Sequence, residues 1–336
     1  MSELNRLKGS KGLTANIGYE GTEVVNDFDS KYPWNEMKII TAENGDKFIQ
    51  IPKFYVHYTK DEDGYITGRE FSLYKVDNDW LVNNVFIKDG QELPYVEIGC
   101  YLADLDSDSC LRSRSGAYPK RGIKLEDART YISNNNSKMD DGYEYQLFDI
   151  WCANLLQDLF VVEFAQSDAS EIMSGYTYTY YSGSPVANGQ TDSVEYVTGM
   201  TTENSNKLGN SPMKYRGIEN LYGGGQTVLD KIVCDRGRLT VEKDGEAIVC
   251  GQTAPTSSGV VRKLKQDSIT GLVFPSYLHN NGKYIDVYTG ADEDNQMFLL
   301  GRNNASGSTL FCYTAYPKSD APRYGVYRVI RRPKTY

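Results

Sequence analysis

Apolar and polar residues alternate in short runs through much of this chain. From Trp34 the pattern sharpens, and MKIITAENGDKFIQIPKFYVHYTKDEDGYITGREFSLYKV reads as brief period-two segments divided by Asn-Gly, Gly-Asp and Asp-Gly pairs. That spacing predicts strands joined by tight hairpins. YVEIGCYLAD (95 to 104) is a further strand candidate, and RLTVEKDGEAIVCG predicts a hairpin turning at Asp244-Gly245. GLVFPSYLH, KYIDVYTG, QMFLLGR, STLFCYTAYP and YGVYRVIRR continue the strand pattern. Two stretches switch to the helical period. LEDARTYISNNN, from near Leu125, has acids in its first turn and an Asn-rich exit. YQLFDIWCANLLQDLFVVEFAQ, from about Tyr145 to Gln166, carries Leu147, Ile150, Trp151, Leu155, Leu159 and Val162 at near-helical spacing, with further apolar residues around the cylinder. It predicts a central buried helix, with Trp151 and Cys152 as core. The fold class is therefore α+β, two helices set into a strand-rich, loop-rich chain.

Two regions lack this periodicity. Residues 1 to 33 are polar and weakly patterned, which predicts an N-terminal arm ahead of one domain spanning 34 to 336. Residues 173 to 214 are rich in Gly, Ser, Thr, Asn and Tyr and predict a long insertion, exposed and more mobile than the helices, because periodic structure resumes on both sides. The cluster of Tyr176, Tyr178, Tyr180 and Tyr181 is suited to pin its first part to the body.

Composition narrows the function classes. The 336 residues suffice for a real core, and no run approaches the length of apolar sequence that a membrane span needs. MSELNRLKGSKGL has no apolar segment of the secretory type, so no signal is expected there. A formal charge of −9 argues against nucleic acid as a partner, since phosphate recognition wants a basic face. Six scattered cysteines without a CxxC pair predict free thiols in a reducing cytoplasm. The 27 Tyr and 31 Gly against two His favour a binding surface over acid–base chemistry, although Tyr also fills strands.

Candidate chemistry is sparse. MKYRGIENLYGGG (213 to 225) invites comparison with a phosphate loop, but GGGQTVLD lacks the Lys that such a loop needs. Asp104, Asp106 and Asp108 alternate as calcium ligands do, yet Ser109 and Ser115 stand where an EF-hand requires Gly and Glu, leaving only a looser calcium site open. DEDG (61 to 64) and ADEDN (291 to 295) read as solvated turns. His57 and His279 read as structural or surface residues, and no GxSxG nucleophile elbow occurs.

Five stretches, in order, carry a resemblance: RSRSGAYPKRGIKLEDARTYISNN, YQLFDIWCANLLQDLFVVEFA, MKYRGIENLYG, LLGRNNASGSTLFCYTAYP and YGVYRVIRR. Together, from about Trp34 to Arg332, they resemble the C-type-lectin-like fold of formylglycine-generating-enzyme-like proteins. The likeness is nearest to bacteriophage tail-associated proteins, including variable proteins diversified by retroelements. The resemblance implies structural roles for Arg216, Gly217, Glu219 and Asn220 in a crowded turn. Oxidases of that fold hold copper with two cysteines; Cys312 falls in the neighbourhood but YTAYPKSDAPRY offers no second thiolate, so no cofactor or catalytic residue carries over.

What the resemblance implies is a tail-tip or fibre-associated protein of the virion, made in the host cytoplasm, that binds a bacterial surface receptor, glycan or protein. A homotrimer is expected, with the N-terminal arm meeting other tail proteins and no membrane insertion. The alternatives are a purely structural tail or baseplate component and, from another class, a carbohydrate-degrading enzyme. The resemblance places the receptor face in the C-terminal third, at Asn303, Asn304, Ser306, Ser308, Tyr313, Tyr316, Asp320, Arg323 and Tyr324. The Tyr, Ser, Asn and Arg content of that stretch points the same way. Leu310, Val326, Tyr327 and Val329 are expected to face the core.

Overall fold

A helix with no polar face has nowhere to lie but inside a protein. The structure, a computed structural model, describes residues 12–166, 169–173, 175, 186–201, 211–279, 287–301, 310–322 and 325–334. In it every residue of the helix α2 (Ile150–Phe164) is buried. Asp149 caps its N-terminus, accepting a hydrogen bond from the Cys152 amide at 2.9 Å, and Ala165 closes it in the left-handed conformation. The polar residues it carries inward all find partners. Asn154 exchanges two bonds with the backbone of Val273, each 2.9 Å, and Gln157 donates to the Leu310 carbonyl and the Tyr313 hydroxyl. Asp158 accepts from Arg69 and Tyr58, and Glu163 accepts from Arg216. Such anchors fix where surrounding segments cross the helix, because a buried polar group without a partner costs about 1–3 kcal/mol.

The helix begins later than its periodicity predicts. Tyr145 and Leu147 belong instead to the strand Tyr143–Leu147, paired antiparallel with Val329–Pro333. Alternation of buried Tyr145 and Leu147 serves a strand as well as a helix, and the Asp149 cap decides the boundary. The other helix, α1 (Leu125–Lys138), starts where expected and buries Leu125, Ala128, Ile132 and Asn135 along one stripe.

Two sheets dominate. The first has five antiparallel strands in the order Lys38–Thr41, Lys47–Pro52, Tyr95–Gly99, Val329–Pro333, Tyr143–Leu147, so the C-terminal strand lies between early ones. The second has ten strands, all from residues 226 to 326, and includes the predicted hairpin Arg238–Lys243/Glu246–Thr253. Asp244 and Gly245 both have positive φ, 51° and 81°, the backbone that a two-residue hairpin turn demands. A smaller three-stranded sheet, Ile66–Ser72, Tyr55–Lys60 and Leu81–Val82, packs beside the second, with Tyr65 bridging to Lys265. The fold is thus α+β as expected.

Residues 12 to 33 are not a loose arm. Phe28 is fully buried against Trp34, Asn26 donates to Glu163 at 2.8 Å, and Gly18 pairs with Gly199. A Cβ on Gly199 would lie 2.0 Å from the Gly18 carbonyl oxygen, so that approach requires glycine. The described parts of the 173–214 segment are exposed only in part: Asn188, Thr191, Val194, Thr198 and Met200 are buried, while Gln190, Asp192, Ser193 and Glu195 face solvent. The polar composition that suggested exposure is satisfied internally, with Asn188 bonding the Leu102 and Arg114 carbonyls. The four-Tyr cluster lies outside the described residues, as do residues 1 to 11.

Candidate functional site

The glycine-rich stretch 213 to 225 is a structural hinge point and not a phosphate cradle. Met213–Tyr215 and Ile218–Glu219 form a hairpin whose turn residues Arg216 and Gly217 take φ of 49° and 87°. Arg216 is strained there and held by its side chain, which binds Glu163 through Nε and Nη2 at 3.1 and 2.5 Å and Asp29 through Nη1 at 2.5 Å. Burial opposes the guanidinium charge, but the Glu163 and Asp29 carboxylates outweigh it and push the Arg216 pKa up. Glu219 accepts from the Gly189 and Thr191 amides and the Thr191 hydroxyl, and Tyr222 donates to the Met173 carbonyl at 2.8 Å. Arg328, fully buried, donates to the carbonyls of Gly99, Glu219 and Asn220, so the turn also ties down the C-terminal segment.

The predicted C-terminal face is only partly retained. Tyr313 is wholly buried, between Phe274 and Phe298, with its hydroxyl accepting from Gln157 at 2.7 Å; it cannot touch a receptor and leaves the candidate set. The physical reason is its strand position: Tyr313–Pro317 pairs on one side with Gln296–Leu300 and on the other with Val287–Thr289, which places Tyr313 over α2. Tyr316 is half-buried and packs against the smaller apolar cluster, and Asp320 is exposed in the turn that follows. Asn303, Asn304, Ser306, Ser308, Arg323 and Tyr324 lie outside the described residues. Leu310, Val326, Tyr327 and Val329 are buried as expected.

A second concavity lies elsewhere. A cleft of about 490 Å³ opens between the three-stranded sheet, the loop 267 to 271 and the first turn of α2, a volume in the range of small-molecule sites. Trp80 stands on its wall, part-exposed, with His57 stacked on the indole at 5.6 Å between centroids. Trp151 lies deeper, its indole N–H given to the Glu242 carbonyl at 2.9 Å. Two carboxylates on the wall are already engaged. Glu92 takes the Lys53 ammonium at 2.7 Å and the Tyr55 hydroxyl at 2.5 Å; burial pushes its pKa up, but those two partners prevail and hold it low. Asp267 accepts from the Gln252, Ile269 and Thr270 amides and the Thr270 hydroxyl, which likewise outweigh burial and lower its pKa. Asn84 Oδ1 and Gln266 Nε2, on residues of the same wall, are buried without a hydrogen-bond partner.

Sequence reasoning missed this cleft because its residues come from five separated segments. The available signal was DNDWL (77 to 81), a Trp in an acidic and amide-rich run where no periodic face calls for one. The remaining candidates resolve structurally. Asp104 pairs with Arg114, Asp106 with Arg112 and Asp108 with Lys138, so the three carboxylates are drawn to three different cations. Among the described residues no group of three or more His, Cys, Asp or Glu is placed to hold a metal ion. All six cysteines are buried and outside any disulfide, and burial pushes the Cys100 thiol up to about 12. His57 bonds Glu70 at 3.1 Å. Among the described residues no helix is long and apolar enough to cross a membrane. A scan against protein-family models gives no match for this chain, and neither does a search of the curated proteins.

Proposed function

We propose that this chain is a bacteriophage attachment protein, tail-tip or fibre-associated, that binds a ligand on the bacterial surface and acts as a binder, not as an enzyme. The reading takes the α+β fold as a C-type-lectin-like domain, on the strength of the five ordered sequence stretches. The observation that carries it is the cleft around Trp80, where an aromatic platform, unmatched amide groups and cationic side chains share one solvent-open concavity. Tyr316 and Asp320 remain candidate contacts in this proposal, as do Asn303, Asn304, Ser306, Ser308, Arg323 and Tyr324, which lie outside the described residues. Trimeric assembly is part of it and is tested by light scattering, where a monomer at micromolar concentration would refute the trimer. The binding reading is tested by asking whether purified protein blocks phage adsorption to host cells. Trp80→Ala should weaken that block at least tenfold with the melting temperature unchanged.

A structural tail or baseplate role is the second reading. It is favoured by Leu73, Tyr74 and Val76, exposed at 46%, 73% and 65%, a strip suited to a permanent neighbour. Unaltered adsorption in the Trp80 variant, together with loss of tail assembly when this strip is made polar, would select it.

A further inference from the structure

We propose that the Trp80 cleft is a subsite for an acidic sugar, a ring of hexose size bearing a carboxylate or a phosphate. The inference rests on the binding reading above and adds the chemistry of what is bound. Three features of the wall converge on it. The first is charge. The protein carries a formal −9, yet Lys60, Lys75 and Lys243 all face this one cleft. Among the described residues neither Lys60 nor Lys75 makes an ion pair, and both are exposed. The two carboxylates on the wall are taken, Glu92 by Lys53 and Tyr55, with the Lys75 charge also acting on it, and Asp267 by backbone amides and a hydroxyl. A local positive excess on an acidic protein attracts an anion and disfavours cationic ligands.

The second feature is the platform. Trp80 is braced on one side by His57, which holds the indole in place at little entropic loss when a ligand arrives. A flat, part-exposed indole offers a large apolar area to the C–H face of a pyranose. The other two tryptophans, Trp34 and Trp151, are buried to 2% and 3% exposure, so Trp80 is the one accessible to a ligand and to a quencher. The third is unmet polar capacity. Asn84 is 7% exposed and its Oδ1 has no donor; Gln266 Nε2 has no acceptor. A buried amide atom without a partner is rare, and both atoms belong to residues that line the cleft, where sugar hydroxyls can serve as donor and acceptor. An apolar ligand would leave both amides unmet, and a simple anion would leave the indole unused.

The test is titration of the full chain with glucuronate, galacturonate, N-acetylneuraminate and glucose 6-phosphate beside glucose, galactose and N-acetylglucosamine. Acrylamide quenching of tryptophan fluorescence is the readout. An acidic sugar should protect Trp80 and bind at least tenfold more tightly than its neutral counterpart, with affinity falling as salt rises. Trp80→Phe should keep most binding and Trp80→Ala lose it. Lys60→Gln with Lys75→Gln should bring the acidic-to-neutral ratio close to one while leaving the neutral affinity and the urea midpoint unchanged. Neutral sugars binding as well as acidic ones would overturn the acidic-sugar proposal while the attachment reading stands. Binding by none of the seven, with adsorption still lost in Trp80→Ala, would also overturn it and leave a different surface ligand. Binding by none, with adsorption unaffected, would remove the proposal and the attachment role of the cleft together.

Discussion

Glu163 offers the sharpest test of how this fold is held. Its carboxylate is 0% exposed and accepts four hydrogen bonds, from Asn26 Nδ2 at 2.8 Å, Tyr215 Oη at 2.9 Å, Arg216 Nε at 3.1 Å and Arg216 Nη2 at 2.5 Å. Glu163→Ala strips all four at once. Arg216 keeps Asp29, whose side chain is 44% exposed, so the guanidinium retains one ion pair at the surface and loses the buried one. Removing one partner of a buried ion pair costs about 3–5 kcal/mol, and the two neutral donors left behind add to the upper part of that range. We expect about 4 kcal/mol, a large share of a total stability of about 5–15 kcal/mol. With a urea slope of about 3 kcal/mol/M, the midpoint should fall by about 1.3 M. Glu163→Gln, which keeps one acceptor and the shape, should lose about half as much, and neither loss should depend strongly on salt because the site is shielded from ions. The assay is equilibrium urea unfolding followed by tryptophan fluorescence. A midpoint shift for Glu163→Ala below about 0.3 M at unchanged slope would show that the 213 to 225 turn is not anchored through this carboxylate.

Other outcomes follow from the same geometry. Tyr313→Ala should destabilise by about 3–5 kcal/mol, as expected for emptying an aromatic core site, and Tyr313→Phe by only about 1 kcal/mol because Gln157 keeps the Leu310 carbonyl; loss of ligand binding in Tyr313→Phe at full stability would put that ring on a surface instead. Asp267 has its pKa held below the ordinary value, so the stability it contributes is complete above the ordinary value and is lost as pH falls from there through the lowered one. Wild-type urea midpoints should therefore drop relative to Asp267→Asn as pH falls below about 4, and parallel curves would refute this. All six thiols should resist alkylation in the native protein and all six should label once urea unfolds it, since every cysteine is buried and outside any disulfide; fewer than six after unfolding without reductant would reveal a bridge.

The sequence by itself determined the elements whose signals are local. Period-two runs with Asn-Gly and Asp-Gly punctuation specify hairpins because a two-residue turn needs positive φ whatever surrounds it, and Asp244-Gly245 supplies it. The apolar residues of Ile150–Phe164, spread around the cylinder, specify a buried helix for an equally local reason. Tertiary structure decided everything that depends on which partner a residue meets. Tyr313 and Tyr316 sit three apart in one strand and are chemically alike, yet one is sealed over α2 and the other reaches the edge of the core, a difference set by the neighbouring strands and not by either residue. Polar segments that composition marks as exposed, 12 to 33 and 186 to 201, are anchored at Asn26, Asn188 and Thr191, which are buried because carboxylates and carbonyls distant in sequence satisfy them. The cleft is the extreme case: Lys60, Trp80, Asn84, Lys243 and Gln266 share no motif and no spacing, and only the docking of three sheet regions and a helix end brings them to one wall.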